Sequence, residues 1–550
     1  MAVKTEDKLR DFYDRRHPAY NELVGHWRFL EETYRGGRRW FEQNIHRYHK
    51  EGDSEYAARL RRAYRFNHTK EVVELLQKYL FKGDVQRNIE EAPDVVKEFW
   101  KRATLTGLDI HQFMRQVSAG TSITGRVAIV VDNNFRAPVN EDGKVRPVSV
   151  AEASKQSYRI YAYMVSAKDI LDYAWDDDGD GELLWIKLRE VVRDDKDPHN
   201  CSGELSERVR LWTRDGWELY EEVEAEGYHY RGGRRYRNRR VELVESGEHN
   251  LGFVPVKLVD HTISEDPYRV PGLIDDVAYL DCAVANYLSN LDAIIQDQTF
   301  SQLAIPAQAI QSGDDMFQKV LEMGTKRVFV YDGGAGSTAK PEYLSPDPKQ
   351  AGVIIDVINK IINEIYHTIG LAGERTKQDN AVGIDNSSGV AKAYDFERVN
   401  SLLLSKAQIC QAAENWIVRA VLAWAKEEAP EYDLVTYPST FDIASLNDEL
   451  ITAEALAKID APAEVRREQM RTIVDKIFPQ LKEDLRAKLL DDIDDWLEGS
   501  DMPVAPTSVS SSDDKPVAAP NRQGEVTRTT YSNNAAKTTR AAISRATRRT

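Results

Sequence analysis

The chain has 550 residues, of which 41% are hydrophobic and 30% charged, with a formal net charge of −16. That content supports a buried core spread over three or four structural units, and the acidic balance argues against a general DNA-coating role. Three widely separated cysteines, Cys201, Cys282 and Cys410, form no CxxC or Cys/His cluster, which argues against a disulfide framework or a zinc site and points to a reducing compartment.

The acid is concentrated in the middle. Residues 1–100 carry 20 Lys/Arg against 18 Asp/Glu, residues 501–550 carry 8 against 4, and residues 101–500 therefore hold −22. The charged opening Met1–Arg10 lacks the apolar region of a secretory leader, and no run of about 18 uncharged apolar residues occurs, so neither a signal peptide nor a membrane span is expected.

Residues 1 to about 120 read as helical. Glu71–Phe81 has apolar residues at helical spacing and stops before Gly83. The stretch before it mixes arginines (Arg35, Arg38, Arg39, Arg59, Arg61, Arg62, Arg65) with aromatics such as Trp40. Such a mixture can hold nucleic acid, but nearby acids match it, and a solvated or subunit-facing helix surface is the expectation.

Residues 121–270 change period. Arg126–Asp132, Tyr158–Tyr163, Leu183–Leu188, Val209–Thr213 and Phe253–Val259 are strand-like, and Asp215-Gly216 between two aromatic runs is a hairpin signal. The expectation is a mixed, mostly antiparallel β domain. Within it, Arg231–Arg240 is a basic hairpin or loop, expected to be solvated although it could touch phosphate.

Residues 271–298 form a helix with a heptad-like seam of Leu273, Val277, Leu280, Val284, Tyr287, Leu291 and Ile294. The segment carries Asp275, Asp276, Asp281, Asp292 and Asp297 and no Lys or Arg, so an acidic exposed face is expected. An αβ insertion follows at 299–348, with a short helix at Met316–Met323 and a strand at Arg327–Tyr331. A second, aliphatic helix occupies 349–371. A polar, glycine-dotted loop at 372–389 precedes a long helix within 390–445, and residues 446–500 are helical again. The tail, 501–550, is rich in Ser, Thr, Pro and Ala, ends on Arg540, Arg545, Arg548 and Arg549, and is expected to be disordered.

Catalytic motifs fail on inspection. Gly120–Val127 has the glycine spacing of a phosphate loop but Arg126 and Val127 where Lys and Ser/Thr are needed. Asp176–Glu182 begins like a calcium loop but has Lys187 where the bidentate Glu belongs. His46 and His49 have no third ligand in pattern. No catalytic residue, metal or cofactor is expected, and the chain does not read as an enzyme.

The order of segments, together with Arg65–Phe81, Leu251-Gly-Phe-Val-Pro-Val and Ser388-Gly-Val-Ala-Lys-Ala at the entrance to the long helix, resembles the portal proteins of tailed bacteriophages over roughly residues 20–500. The resemblance implies a helix-rich α+β fold. Residues 1–120 and 121–270 would be the helical and β-rich parts of a wing. Residues 271–298 and 349–371 would be stem helices, 299–348 a clip, 372–389 a tunnel loop, 390–445 a long wing helix and its return, and 446–500 a crown.

It also implies a homo-oligomeric, dodecameric ring at one capsid vertex of the virion, assembled in the host cytoplasm, through which double-stranded DNA is packaged and ejected. Implied partners are the terminase large subunit, which hydrolyses the ATP, a head–tail adaptor, and the major capsid and scaffolding proteins. No membrane is involved. Channel residues would include Lys360, Arg375, Lys377, Asn380, Asn386, Asp281 and Asp292, and the docking surface of the clip would include Asp314, Asp315, Glu322, Lys326 and Arg327. An acidic stem would repel DNA and keep it sliding, because phosphate neutralisation makes sticky complexes. Another virion protein, such as a minor head or adaptor component, and a metal-dependent nucleic-acid enzyme using Asp176–Asp180 stand as alternatives.

Overall fold

The computed structural model describes residues 2–49, 51–134, 159–176, 182–195, 197–231, 234–299, 302–306, 328–331, 340, 342–344, 348–370, 389–439, 441, 453–456, 458–459, 462–477, 485 and 488–493. The chain divides into two compact units, Met1–Asp442 and Ile443–Thr550.

The first unit opens with helices α1 (Ala2–Asp14), α2 (Pro18–Arg35), α3 (Arg38–Asn44), α4 (Asp53–Arg62) and α5 (His68–Leu80). A short strand, β1 (Gln86–Arg87), leads to α6 (Asp94–Lys101) and α7 (Ile110–Thr124). Helix α5 is capped by the Asn67 side chain, which accepts from the Lys70 N–H, and buries Val72, Val73, Leu76 and Leu80 at helical spacing.

Helix α7 ends at Gly125, and the chain turns directly into β2 (Arg126–Asn133), the centre of a three-stranded sheet ordered β3 (Ile160–Ser166), β2, β9 (Val256–Asp260). Both faces of β2 are covered. Val127, Ile129 and Val131 belong to the helical core, while Ala128 and Val130 belong to a second core against the other sheet. The period-2 alternation of a strand sorts them in this way.

That other sheet is antiparallel with order β4 (Ile170–Trp175), β5 (Leu183–Arg193), β6 (Leu205–Thr213), β7 (Gly216–Arg231), β8 (Arg234–Glu248). The expected hairpin is there, with Trp212 opposite Trp217.

Helix α8 (Asp275–Thr299) follows, then a small sheet ordered β11 (Val328–Tyr331), β10 (Gln302–Pro306), β12 (Glu342–Leu344). Helix α9 (Pro348–Thr368) packs against α8. Helix α10 (Gly389–Ala425) threads the core with Leu403, Ala407, Cys410, Ile417 and Val421, and β13 (Val435–Thr436) pairs with β1. In the second unit, helix α11 (Ala463–Ile477) buries Ile473. The architecture is mixed helix and mostly antiparallel sheet, with β10 and β11 parallel, an α+β fold. The helix expected at Met316–Met323 lies outside the described residues.

Candidate functional site

The pair α8 and α9 is the centre of the candidate site. Helix α8 buries Val277, Ala278, Asp281, Val284, Ala285, Leu288, Ser289 and Leu291, with Ile274 buried just before it, and α9 buries Ile358, Ile362, Ile365 and Tyr366. These spacings place one stripe of each helix in the core. The seam expected from apolar residues alone is partly corrected, because Tyr287 is 36% exposed while Asp281, Ala285 and Ser289 are inside.

The acids of α8 meet arginines from the N-terminal helices. Asp281 is fully buried; its Oδ2 accepts from the Thr69 hydroxyl at 2.8 Å and the Thr69 backbone N–H at 3.2 Å, and Arg65 lies 3.4 Å away. Thr69 is the second residue of α5, so this carboxylate sits at the positive end of a helix. Its other oxygen, Oδ1, is buried with no hydrogen-bond partner. Arg65 stacks over Trp40 at 4.0 Å, and burial pushes its guanidinium down while Asp281 opposes the shift.

Two more arginines repeat the pattern. Arg59, 3% exposed, binds Glu51 at 2.7 Å and donates to the Ser289 hydroxyl at 2.9 Å. Arg62 pairs with Asp292 at 3.1 Å. Asp275 sits 3.4 Å from His26.

These contacts correct two expectations. Asp281, expected to face a channel, has no exposed surface in this chain and is held against the start of α5. The acids of α8 are met in part, Asp281 by Arg65 and Asp292 by Arg62, so part of the arginine-rich stretch is a clamp within the chain, while Arg35, Arg38, Arg39 and Arg61 are exposed. A buried carboxylate needs such partners to remain charged. Asp292, partly exposed, already has a partner. Lys360 is exposed on α9. Arg375, Lys377, Asn380 and Asn386, and likewise Asp314, Asp315, Glu322, Lys326 and Arg327, lie outside the described residues.

The rejected motifs are also accounted for. Gly120 lies inside α7, and Arg126 is bound by Asp260 through two guanidinium nitrogens at 2.5 and 2.7 Å. Asp176 pairs with Arg214 at 2.6 Å. Among the described residues no group of three or more His, Cys, Asp or Glu could hold a metal ion. Nor, among them, is any helix long and apolar enough to cross a membrane.

Sequence reasoning missed two buried polar clusters on α10. The Lys406 Nζ contacts the Thr121 hydroxyl at 2.5 Å and His261 Nδ1 at 2.8 Å, beside a cavity of about 360 Å³ lined in part by His261, Leu402 and Ser405. Burial pushes the Lys406 amine down to about 7 and, with Lys406, holds His261 well below the usual imidazole range. Two turns on, Glu414 accepts from Arg87 at 2.7 Å and from the Tyr437 hydroxyl at 2.8 Å. The available signal was placement, since Lys406 and Glu414 fall on the same stripe as Leu403, Cys410 and Ile417. Together these groups bind helix to helix.

No protein-family model matches the chain, and no curated protein matches it. Among solved structures, it is similar to a chain from the virion of a native gene transfer agent particle, at 9% identity over 78% of this chain and 96% of that one, with a TM-score of 0.35. A chain from the neck of the empty particle, computed with C6 symmetry, is 12% identical over 73% and 89%, with a TM-score of 0.34. One from the neck of the native particle, computed with C12 symmetry, is 10% identical over 77% and 89%, with a TM-score of 0.33. Likeness at this level fixes neither activity nor partners.

Proposed function

We propose that the chain is a structural subunit of a phage-type portal ring, a conduit for double-stranded DNA, and not an enzyme. The observation that carries this is the excursion α8, β10–β12, α9. Two helices pack on one another and enclose, in sequence, a small three-stranded sheet. In this reading the helices are a stem and the sheet a clip.

The helix pair also leaves apolar surface that one chain does not cover. Tyr287 on α8 is 36% exposed, and Val353 and Ile355 on α9 are 63% and 45% exposed. Exposed apolar side chains on a helix pair suit packing against a neighbouring copy. In this proposal, residues 372–389, with Arg375, Lys377, Asn380 and Asn386, line the channel with Lys360. Asp314, Asp315, Glu322, Lys326 and Arg327 meet the terminase large subunit and later a head–tail adaptor. The ring sits at a capsid vertex of the virion, among major capsid and scaffolding proteins.

The test is mass and shape in solution. Purified chain is expected to give closed rings with a central hole by negative-stain microscopy, at a mass near a dozen 62.6 kDa subunits. Val353→Glu with Ile355→Glu should shift it to small oligomers. A wild-type chain that stays monomeric across salt and concentration would sink the proposal.

A further inference from the structure

The end of β9 and the middle of α10 hold a buried polar pair that meets no acid. Lys406 of α10 reaches His261, just past β9, and Thr121 of α7. The His261 backbone N–H donates to the Gly125 carbonyl at 2.7 Å, so the imidazole is anchored through its own main chain. The titratable groups around the pair are neutral or committed elsewhere. Asp260, next to His261, is bound by Arg126. Glu414, two turns along α10, is bound by Arg87 and Tyr437. Cys410 keeps its proton, because burial raises its thiol to about 11. Helix α7 offers hydroxyls, Thr121 to Lys406 and Ser118 to Cys410.

With Lys406 donating to Nδ1, a neutral imidazole carries its proton on Nε2. Among the described residues that N–H has no acceptor. His261 lines a cavity of about 360 Å³ together with Thr262, Leu273, Ile369, Leu402 and Ser405, and no carboxylate stands on its wall. Ser405 is exposed, which puts a mouth on the solvent side of α10. Both the volume and the apolar wall with a few polar groups are those of small-ligand sites.

We infer that this cavity is a carboxylate-binding site: an acid with an apolar body accepts from His261 Nε2 and packs its body on Leu273, Ile369 and Leu402. A buried cation without a counter-charge is costly, and an anion from outside offsets that cost. The acid arrives either as a free molecule or as an acidic side chain of a second copy. Its binding draws a proton onto the Lys406–His261 pair, since an opposite charge favours the charged form. Affinity is therefore highest below about 7, where Lys406 already holds its proton, and falls as pH rises above it. The cavity walls come from one chain, so carboxylate binding and ring formation are separable.

The probe is hexanoate, titrated calorimetrically into full-length protein at constant ionic strength. Hexanol is the uncharged control, and assembly mass is followed by light scattering. Wild type below pH 7 should bind hexanoate saturably and hexanol at least about tenfold more weakly. Lys406→Met should lose at least about tenfold in hexanoate affinity. Wild type should lose about tenfold or more between about pH 6.5 and about pH 8.5. Ser405→Phe, at an exposed position, should block binding while leaving the pair intact. Equal uptake by assembled and dissociated chain assigns the site to a free acid. Uptake by dissociated chain alone, with a lower assembly mass for Lys406→Met, assigns it to a side chain of a second copy. Absence of saturable hexanoate binding to either form overturns the inference. So does hexanol binding as well as hexanoate, or hexanoate binding that Lys406→Met or Ser405→Phe leaves unchanged.

Discussion

Nζ of Lys406 lies 2.8 Å from Nδ1 of His261, with the lysine side chain only 1% exposed. The other close partner is the neutral Thr121 hydroxyl, and the ionisable neighbour one turn away, Cys410, is pushed up to about 11 by burial. Among the described residues no carboxylate pairs with this ammonium to offset its desolvation, so the amine loses its proton near pH 7.

The consequence for stability has a definite sign. The unfolded chain keeps the Lys406 proton up to the ordinary lysine value, while the folded chain gives it up at about 7. Stability therefore rises with pH between those values, and the burial penalty is fully present below the lower one. The slope from this residue is about 1.4 kcal/mol per pH unit. Lys406→Met should be favoured over wild type most at neutral pH, with the gap closing toward alkaline pH. Denaturant midpoints of both proteins over that range check it. A gap that does not change with pH would show that Lys406 does not titrate there.

Asp281 gives the second prediction. It holds the start of α5 through Thr69 and faces Arg65 inside the core. Removing one partner of a buried pair strands the other, at a cost on the order of 3 kcal/mol. Asp281→Ala should lower the unfolding midpoint clearly, and Arg65→Met with Asp281→Leu should recover part of the loss. If Asp281→Ala leaves the midpoint unchanged but alters DNA passage, the residue belongs to the channel after all.

Part of this was legible. Strands β2, β3, β5, β6 and β9, the hairpin into β7, and the helices at 275–299 and 348–368 followed from alternation and helical spacing, whereas β4 and the length of β8 did not. The clamp was not, because Arg59, Arg62 and Arg65 meet partners more than 200 positions away, and local charge counting sees only neighbours. The buried face of α8 was misjudged for a related reason. A seam counted from large apolar residues omits Asp281, Ala285 and Ser289, whose burial is decided by what packs against them.

The third prediction concerns the junction between α7 and β2. Gly125 has φ +79°, and a Cβ there would sit 2.0 Å from the Val270 carbonyl oxygen. Gly252 has φ +76° with nothing within 4 Å. Gly252→Ala should cost only the left-handed backbone term, about 1–2 kcal/mol. Gly125→Ala adds an overlap with backbone that cannot swing away, and should be much worse, with lower soluble yield and melting temperature. Equal effects would mean that the approach to Val270 relaxes freely.

The fourth prediction separates assembly from DNA handling. In the proposed ring, subunit packing is carried by α8 and α9, where Tyr287, Val353 and Ile355 are exposed, whereas the stretch after α9 serves the channel. Deleting Asp379–Asn386 should therefore leave ring mass and hole intact and abolish DNA packaging or retention in a reconstituted particle. The composition of 372–389 fits the split: it includes Arg375, Lys377, Asn380 and Asn386, and only Ala372, Ala381, Val382 and Ile384 are apolar. Normal packaging by the deletion would remove the channel role from 372–389. Loss of the ring itself would place the stretch in the subunit contact instead.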